Sequence, residues 1–193
     1  MDDETYVKCD FRQIPGQKFY YSTMCGNVSK KYKSILVDKF AKKYLVWQGI
    51  CSCGLKTKAF VTSANKNSDL YQKECLEKRI LPFIRQHHVP VKFWPDLASC
   101  HYSNSTLRWY ESHGVDIIPK AHNHPNCSEL RPIKIFWAIV KRKLKKSGGS
   151  SCTIENLRQK WCKHADSVSK EAVQKLMSGI KRKTRDFIRA SND

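Results

Sequence analysis

Acidic side chains are the scarce component of this 193-residue sequence. Only 17 Asp and Glu residues accompany 36 Lys and Arg residues, which gives a formal net charge of +19. A neutral ligand does not require such an excess, so the composition indicates a polyanionic partner. Nucleic acid is the usual one, because each neutralised phosphate releases counterions and adds affinity without reading the base sequence.

Long apolar runs are also missing. The sequence has no 18-residue apolar span and no lipidation signal, and residues 1–4 are acidic, with no secretory apolar segment after them. These absences argue against the rival polyanion, an anionic membrane surface. We therefore expect no membrane partner.

The nine cysteines include no CxxC pair, and their number is odd. Without a secretory signal, such a set predicts small core residues rather than a disulfide framework. A zinc site could still be assembled from His122, His124 and Cys127, with Cys100 or His101 as a further ligand. That spacing matches no standard finger, so a zinc-stabilised interaction domain is kept only as an alternative.

Periodicity and turn signals predict an α/β fold. Residues 3–10, 43–53, 57–62, 91–94 and 115–118 have strand patterns, and residues 67–86, 105–111, 153–165, 168–190 and a stretch from Pro132 have helix patterns. An antiparallel run followed by βαβα predicts a mixed sheet flanked by helices, an order found in ribonuclease H-like folds. A Ser/Gly-rich break after residue 146 divides a core of residues 1–146 from basic C-terminal helices in residues 147–193.

Asp96 is the residue around which the predicted core is arranged. It follows an apolar run and Pro95, and strand ends of this kind place a ligand-binding group at the edge of a sheet. A second candidate strand carries Asp3 and Glu4. Because successive side chains of a strand leave opposite faces, this pattern predicts that Asp3 and Glu4 do not share a site.

Five blocks of the sequence occur in the order found in one family. They are residues 3–7 (Asp-Glu-Thr-Tyr-Val), residues 46–50 (Val-Trp-Gln-Gly-Ile) with Gly54, Tyr71 and Leu76 ahead of Leu81-Pro82, residues 96–101 (Asp-Leu-Ala-Ser-Cys-His) and residues 128–137 (Ser-Glu-Leu-Arg-Pro-Ile-Lys-Ile-Phe-Trp). Over residues 2–146 the chain thereby resembles the catalytic domain of mariner-type transposases, of the DDE/DDD superfamily. The resemblance implies a cut-and-paste DNA transposase in which three carboxylates hold two Mg²⁺ or Mn²⁺ ions.

The resemblance assigns Asp3 and Asp96 as the first two acids and metal ligands, and Lys134 stands at the third acidic position. Thirty-seven residues separate Lys134 from Asp96, which suits the family, but the residue type does not. An ammonium here would pair with an aspartate and repel a metal ion, so we expect catalysis to be impaired. The alternative is an active endonuclease in which Glu129, five residues earlier, supplies the third carboxylate.

The resemblance also leads to expectations about partners. The family's upstream helix-turn-helix modules are not found in this sequence, so we expect a truncated, degenerate core that binds DNA without reading transposon ends. Family members usually act as dimers, and the basic run at residues 141–146 is typical of nuclear import signals. The predicted DNA-contacting residues are Lys92, Arg108, Lys120, Arg131, Lys141, Arg142 and Lys145.

Overall fold

The computed structural model of the chain describes residues 1–11, 21–29, 42–123, 130–148 and 153–190. Its strands are β1 (Asp2–Lys8), β2 (Lys43–Gly49) and β3 (Phe60–Thr62). Helix α1 is continuous, with α geometry at Ser68–Leu70 and Leu81–Arg85 and π geometry at Tyr71–Ile80 between them. The remaining helices are α2 (Asn104–Ser112), α3 (Pro132–Ser147), α4 (Ile154–Asp166), α5 (Lys170–Ser178) and α6 (Ile180–Ala190). Among the described residues, no helix has both the length and the apolar character needed to cross a membrane.

The sheet is antiparallel, in the order β1-β2-β3, and β2 is its buried centre. Asp3 lies opposite Gln48, and the following pairs keep that register. Beyond β1 the chain continues the layer only briefly: the Asp2 N–H donates to the Trp94 carbonyl over 3.2 Å, and Phe93 pairs in parallel with Ile117. The described part of the chain is therefore mixed α/β, as expected.

The two predicted strands at residues 91–94 and 115–118 are reduced to that single parallel bridge. Pro90 and Pro95 flank the first of them, and proline has no N–H to donate to a ladder. The segment is too short to extend the pairing, but it still lies beside β1. That position is what brings Asp96 to the start of β1.

Helices cover both faces of the sheet. On one face, α3, α4 and α5 pack against β1 and β2 through a fully buried group comprising Val46, Ile133, Phe136, Leu157, Trp161 and Val173. On the other face, α1 and α2 pack around Trp47, Tyr71, Leu76, Phe93 and Tyr110. Two of the C-terminal helices thus share a core with α3, and the division of the chain into two domains at residue 146 stays a prediction.

Local sequence signals fix the helix ends that position the site. The Asn67 side chain accepts the Leu70 N–H over 2.8 Å and caps α1, and Ser103 caps α2 in the same way. Helix α3 begins at Pro132, as predicted. Proline suits the first turn because an N–H at that position has no partner within the helix, so its absence costs nothing. The predicted tail helix over residues 168–190 is instead interrupted at Gly179, between α5 and α6.

Candidate functional site

Three carboxylates converge at the edge of the sheet. Asp3 and Glu4 come from β1, and Asp96 follows the segment that runs beside it. One oxygen of each lies within 4.8 Å of the others. The structure thus brings together the two aspartates, Asp3 and Asp96, that the sequence singled out, and their catalytic role stays a prediction.

The presence of Glu4 in this group corrects the prediction that Asp3 and Glu4 cannot share a site. Their side chains do leave opposite faces of β1. However, Asp3 folds back along the strand, because its Oδ1 accepts the Glu4 N–H over 2.8 Å. Beyond β1 only a short segment continues the layer, so both side chains reach its open edge beside Asp96. Alternation along a strand describes the direction of each Cα–Cβ bond and does not fix the position of the terminal carboxylate oxygens.

A third aspartate, Asp2, holds Asp96 in place and was not anticipated from the sequence. Its buried carboxylate accepts hydrogen bonds from Trp47 Nε1 over 2.8 Å and from the Tyr71 hydroxyl over 2.9 Å. It also accepts the Asp96 N–H over 3.1 Å. The strand pattern did place Asp2 on the same face of β1 as Glu4, opposite Asp3. A carboxylate on a buried face needs hydrogen-bond donors, and this requirement was the signal that could have revealed its role.

Lys134 reaches this group from the first turn of α3. Its Nζ lies 2.9 Å from Asp3 Oδ2, and the ammonium side chain is 48% exposed whereas that of Asp3 is 2% exposed. The contact is an ion pair, but its geometry does not meet the criteria for a hydrogen bond to Oδ2. The amine thus pairs with the first acid of the predicted catalytic set, as the sequence led us to expect.

Arg131 supplies a second cation from inside the protein. Nη2 donates to the Asp2 carbonyl over 2.6 Å and lies 3.8 Å from Asp96 Oδ1, and Nη1 donates to the Pro95 carbonyl over 3.4 Å. The residue is buried. In this position Arg131 contacts the backbone and Asp96 inside the site, and its phosphate contact stays a prediction.

Lys66 supplies the third cation, through an ion pair with Glu4. Its Nζ also lies 2.7 Å from Nε2 of His101, a buried ring that stacks on Tyr71. His101 Nδ1 lies 2.8 Å from the Asp96 carbonyl, to which only a protonated nitrogen can donate. Nε2 therefore accepts from Lys66, and burial lowers the pKa of His101, which favours this neutral tautomer.

The pKa shifts at the site come mainly from burial of its charged groups, and neighbouring charges modify them. Burial raises the pKa of Asp3, the nearby Asp96 carboxylate raises it further, and Lys134 opposes both. Burial likewise raises the pKa of Glu4 against the effect of Lys66. Burial alone would lower the pKa of Lys66, but Glu4 raises it above the ordinary value.

The donor set does not fit a pair of divalent cations. Three carboxylates at this spacing could share one ion, since hard cations prefer oxygen ligands. Each carboxylate already has its own cation: Lys134 for Asp3, Arg131 for Asp96 and Lys66 for Glu4. A metal ion would therefore have to compete with these three cations, and an ammonium lies against the buried Oδ2 of Asp3.

The other residues predicted to contact DNA lie away from the carboxylate cluster or at its margin, and they differ in exposure. Lys92 pairs with Asp116 at 3.5 Å, and Lys141 donates to Thr5 Oγ1 over 2.6 Å. Burial lowers the pKa of Lys141, and the charge of Lys134 lowers it further. Exposed positions are Arg108, Lys120 and Arg142, and Lys145 is half-buried. Glu129, His124 and Cys127 lie outside the described residues, so the Glu129 alternative and the predicted zinc site stay untested.

The fold is that of mariner-type transposase structures. The chain superposes on a pre-cleavage Mos1 transpososome with a TM-score of 0.76 at 14% identity, over 100% of this chain and 55% of that one. A Mos1 mariner paired-end complex with Mn gives 0.74, and a Mos1 paired-end complex with the left transposon end gives 0.71. Each is 14% identical, over 93% of this chain and 51% of that one.

These comparisons confirm the resemblance at the level of the fold. The chain spans about half the length of the Mos1 chains that it matches. No protein-family model and no curated protein matches the sequence.

Proposed function

We propose that this chain is a transposase-derived DNA-binding protein built on a ribonuclease H-like core, in which metal-dependent DNA cleavage is impaired. The observation that carries the proposal is the ion pair between Lys134 and Asp3. We assign Lys134 to the position at which the mariner-type pattern has its third acid. A metal ion entering there would have to displace or tolerate a positive charge.

The charge distribution supports DNA as the partner. The chain carries +19, and Lys92, Arg108, Lys120 and Arg142 present basic side chains to solvent. Residues of this kind contact phosphates, which positions a protein on DNA without conveying sequence information. The structures that share the fold include complexes with transposon ends, which is consistent with the same class of partner.

The arrangement of the strands supports the ribonuclease H-like part of the proposal. Antiparallel β1, β2 and β3 are followed by a parallel pairing of Phe93 with Ile117 on the far side of β1. That order places Asp3 and Asp96 on neighbouring segments. We also propose that the protein acts as a homodimer and that the basic run at residues 141–146 directs it to the nucleus.

The cofactor part of the proposal concerns affinity. A Mos1 mariner complex with this fold has been solved with Mn, which supports a divalent cation as the family's cofactor. In this chain we propose that Mg²⁺ or Mn²⁺ binds Asp3 and Asp96 weakly, because Lys134 and Arg131 already pair with these two carboxylates.

DNA binding is tested by fluorescence anisotropy with duplexes of unrelated sequence, in chelator, across a salt series. We expect sequence-independent binding whose logarithm falls linearly with the logarithm of salt concentration. If the four exposed residues Lys92, Arg108, Lys120 and Arg142 each contact one phosphate, the slope is about −4. Arg108→Ala should make it shallower by about 1. Lys78→Ala is the control, because Lys78 is an exposed lysine outside the predicted DNA-contacting set, and this variant should leave the slope unchanged. Affinity that does not change with salt would contradict the proposal.

Cleavage is tested separately with supercoiled plasmid and Mn²⁺. We expect no nicking above that of an Asp96→Ala variant. Nicking by the unmodified chain that Asp96→Ala abolishes would establish the alternative, an active endonuclease. Glu129→Gln and Glu4→Gln would then show which carboxylate serves as the third acid.

A further inference from the structure

A second cluster of ligand-type side chains lies away from the carboxylates and is independent of the proposed function. Cys51, Cys53 and His87 each offer one donor atom, and these atoms lie within 4.8 Å of one another. All three residues are half-buried, so solvent reaches them. They line a cavity of about 290 Å³ together with apolar residues such as Ile50, Phe83 and Ile84.

The distances match those imposed by a tetrahedral metal ion. His87 Nε2 lies 3.4 Å from Cys51 Sγ and 3.2 Å from Cys53 Sγ. With bonds of about 2.3 Å to sulfur and about 2.0–2.1 Å to nitrogen, tetrahedral zinc separates such atoms by about 3.6 Å. Small side-chain movements would therefore complete the geometry.

His87 already has the tautomer that a metal ligand needs. Its Nδ1 lies 2.7 Å from the Phe83 carbonyl, to which it donates a proton, so the lone pair is on Nε2, which faces both thiols. An outward hydrogen bond of this kind typically orients metal-binding histidines. The ring also makes an edge contact with Phe83, which limits its rotation.

The loop that carries the cysteines has a fixed shape. The Cys51 N–H donates to the Leu55 carbonyl and the Gly54 N–H donates to the Cys51 carbonyl, each over 2.9 Å. Gly54 has φ of +89°, and a Cβ there would lie 2.4 Å from the Lys170 side chain. A tight Cys-x-Cys-Gly turn thus presents both sulfur atoms on one side.

We propose that Cys51, Cys53 and His87 bind one Zn²⁺ ion, with water as the fourth ligand. Two thiolates and an imidazole favour zinc over the hard cations expected at the carboxylates. The ion would join the loop between β2 and β3 to the chain just beyond α1, which lies 34 residues away from Cys53 in sequence. Within the described parts of the chain, no fourth His, Cys, Asp or Glu joins this group.

Zinc binding must displace protons from the two thiols. Burial raises the pKa of Cys53, and the neighbouring Cys51 adds to that effect. Because protons compete with the metal for the two sulfur atoms, affinity should increase with pH.

The test uses the full chain, stripped of metal and kept reduced with a phosphine. It is titrated with Zn²⁺ against a chromophoric chelator, and with Co²⁺ to report coordination geometry. We expect one ion per chain, and Co²⁺ spectra with tetrahedral ligand-field bands and thiolate charge-transfer bands. A thermal melt should show a higher melting temperature with Zn²⁺ than in chelator.

Matched variants locate the site. Cys53→Ser and His87→Gln should each lower zinc affinity by about a hundredfold or more, since even loss of an outer hydrogen-bond partner costs ten- to a hundredfold. The controls are Cys162→Ser, a half-buried cysteine in α4, and His88→Gln, the exposed neighbour of His87. Both should bind zinc like the unmodified chain.

Three results would overturn the proposal. The first is a folded, reduced chain that binds no zinc. The second is equal affinity in the His87→Gln and His88→Gln variants. The third is loss of zinc in His122→Gln with retention in His87→Gln, which would place the ion at the site predicted from His122, His124 and Cys127 instead. Circular dichroism of each variant separates loss of a ligand from loss of the fold.

Discussion

Replacing Lys134 with glutamate should convert the cation-paired carboxylate cluster at the sheet edge into a metal site. The change removes one positive charge and adds one negative charge next to Asp3, whose Oδ2 lies 2.9 Å from the present ammonium. Asp3, Glu4 and Asp96 with their three cations then become four carboxylates with two cations. The change lowers the local charge by two, and the donor set becomes one that a hard cation prefers.

The size of the effect follows from Coulomb's law. Two unit charges about 4 Å apart interact by about 1 kcal/mol even with the screening of bulk water. For a divalent ion, reversing one neighbouring charge changes the product of charges by four, which gives about 4 kcal/mol. Lys134 is 48% exposed, so salt and solvent reduce this value. A third of it still corresponds to a tenfold gain in Mn²⁺ affinity.

Isothermal calorimetry with Mn²⁺ measures this gain. The matched control is Lys146→Glu, which makes the same charge change at an exposed position on α3, about 18 Å further along the helix. We expect at least a tenfold increase for Lys134→Glu, little change for the control, and loss of the gain when Asp96→Ala is added. Equal affinities for the two glutamate variants would refute the assignment of residue 134 to the third acidic position.

Other predictions concern stability, measured by thermal or denaturant unfolding. Asp3→Asn should stabilise the protein at neutral pH. Because the pKa of Asp3 is raised in the folded state, ionisation of Asp3 destabilises that state. The gain in unfolding free energy from Asp3→Asn should therefore appear as pH rises through 3.8, the ordinary pKa of aspartate, and be absent in stronger acid. Phe136→Ala should cost about 3–5 kcal/mol, whereas Ile135→Ala at an exposed neighbour should cost far less, and equal losses would contradict the packing. Gly54→Ala should destabilise more than Gly148→Ala, because both have positive φ but only Gly54 meets a neighbour.

Much of the fold was predictable because local signals and tertiary packing agree. The capping side chain of Asn67 and the first-turn position of Pro132 fixed helix starts that the structure retains. The tail helix was predicted as one element and is interrupted at Gly179, which has a low helix propensity. The strand before Asp96 is shorter than predicted because two prolines bound it.

The site was only partly predictable because it depends on contacts distant in sequence. Motif order identified Asp3, Asp96 and Lys134. It gave no indication that Asp2 would hold the Asp96 backbone, or that Glu4 would reach the same edge. Cys51 and Cys53 are separated by one residue, which is closer than the spacing of about two to four residues in typical zinc motifs.

His87 in the second cluster was not predicted from the sequence for the same reason. His87 is brought to Cys51 and Cys53 by the docking of α1 against the sheet, since 36 and 34 residues separate it from the two cysteines. Periodicity predicts that α1 exists, but not where its end comes to lie. Only the assembled layers place these three side chains together.

A double-mutant cycle between Asp3 and Lys134 tests directly whether the ion pair between these two residues forms in solution. Unfolding free energies would be compared for the unmodified chain, Asp3→Asn, Lys134→Gln and the double variant at low ionic strength. We expect a favourable coupling of about 0.5–1 kcal/mol that shrinks with added salt, the range for an ion pair in which one partner is half exposed. A coupling indistinguishable from zero at every salt concentration would contradict this expectation.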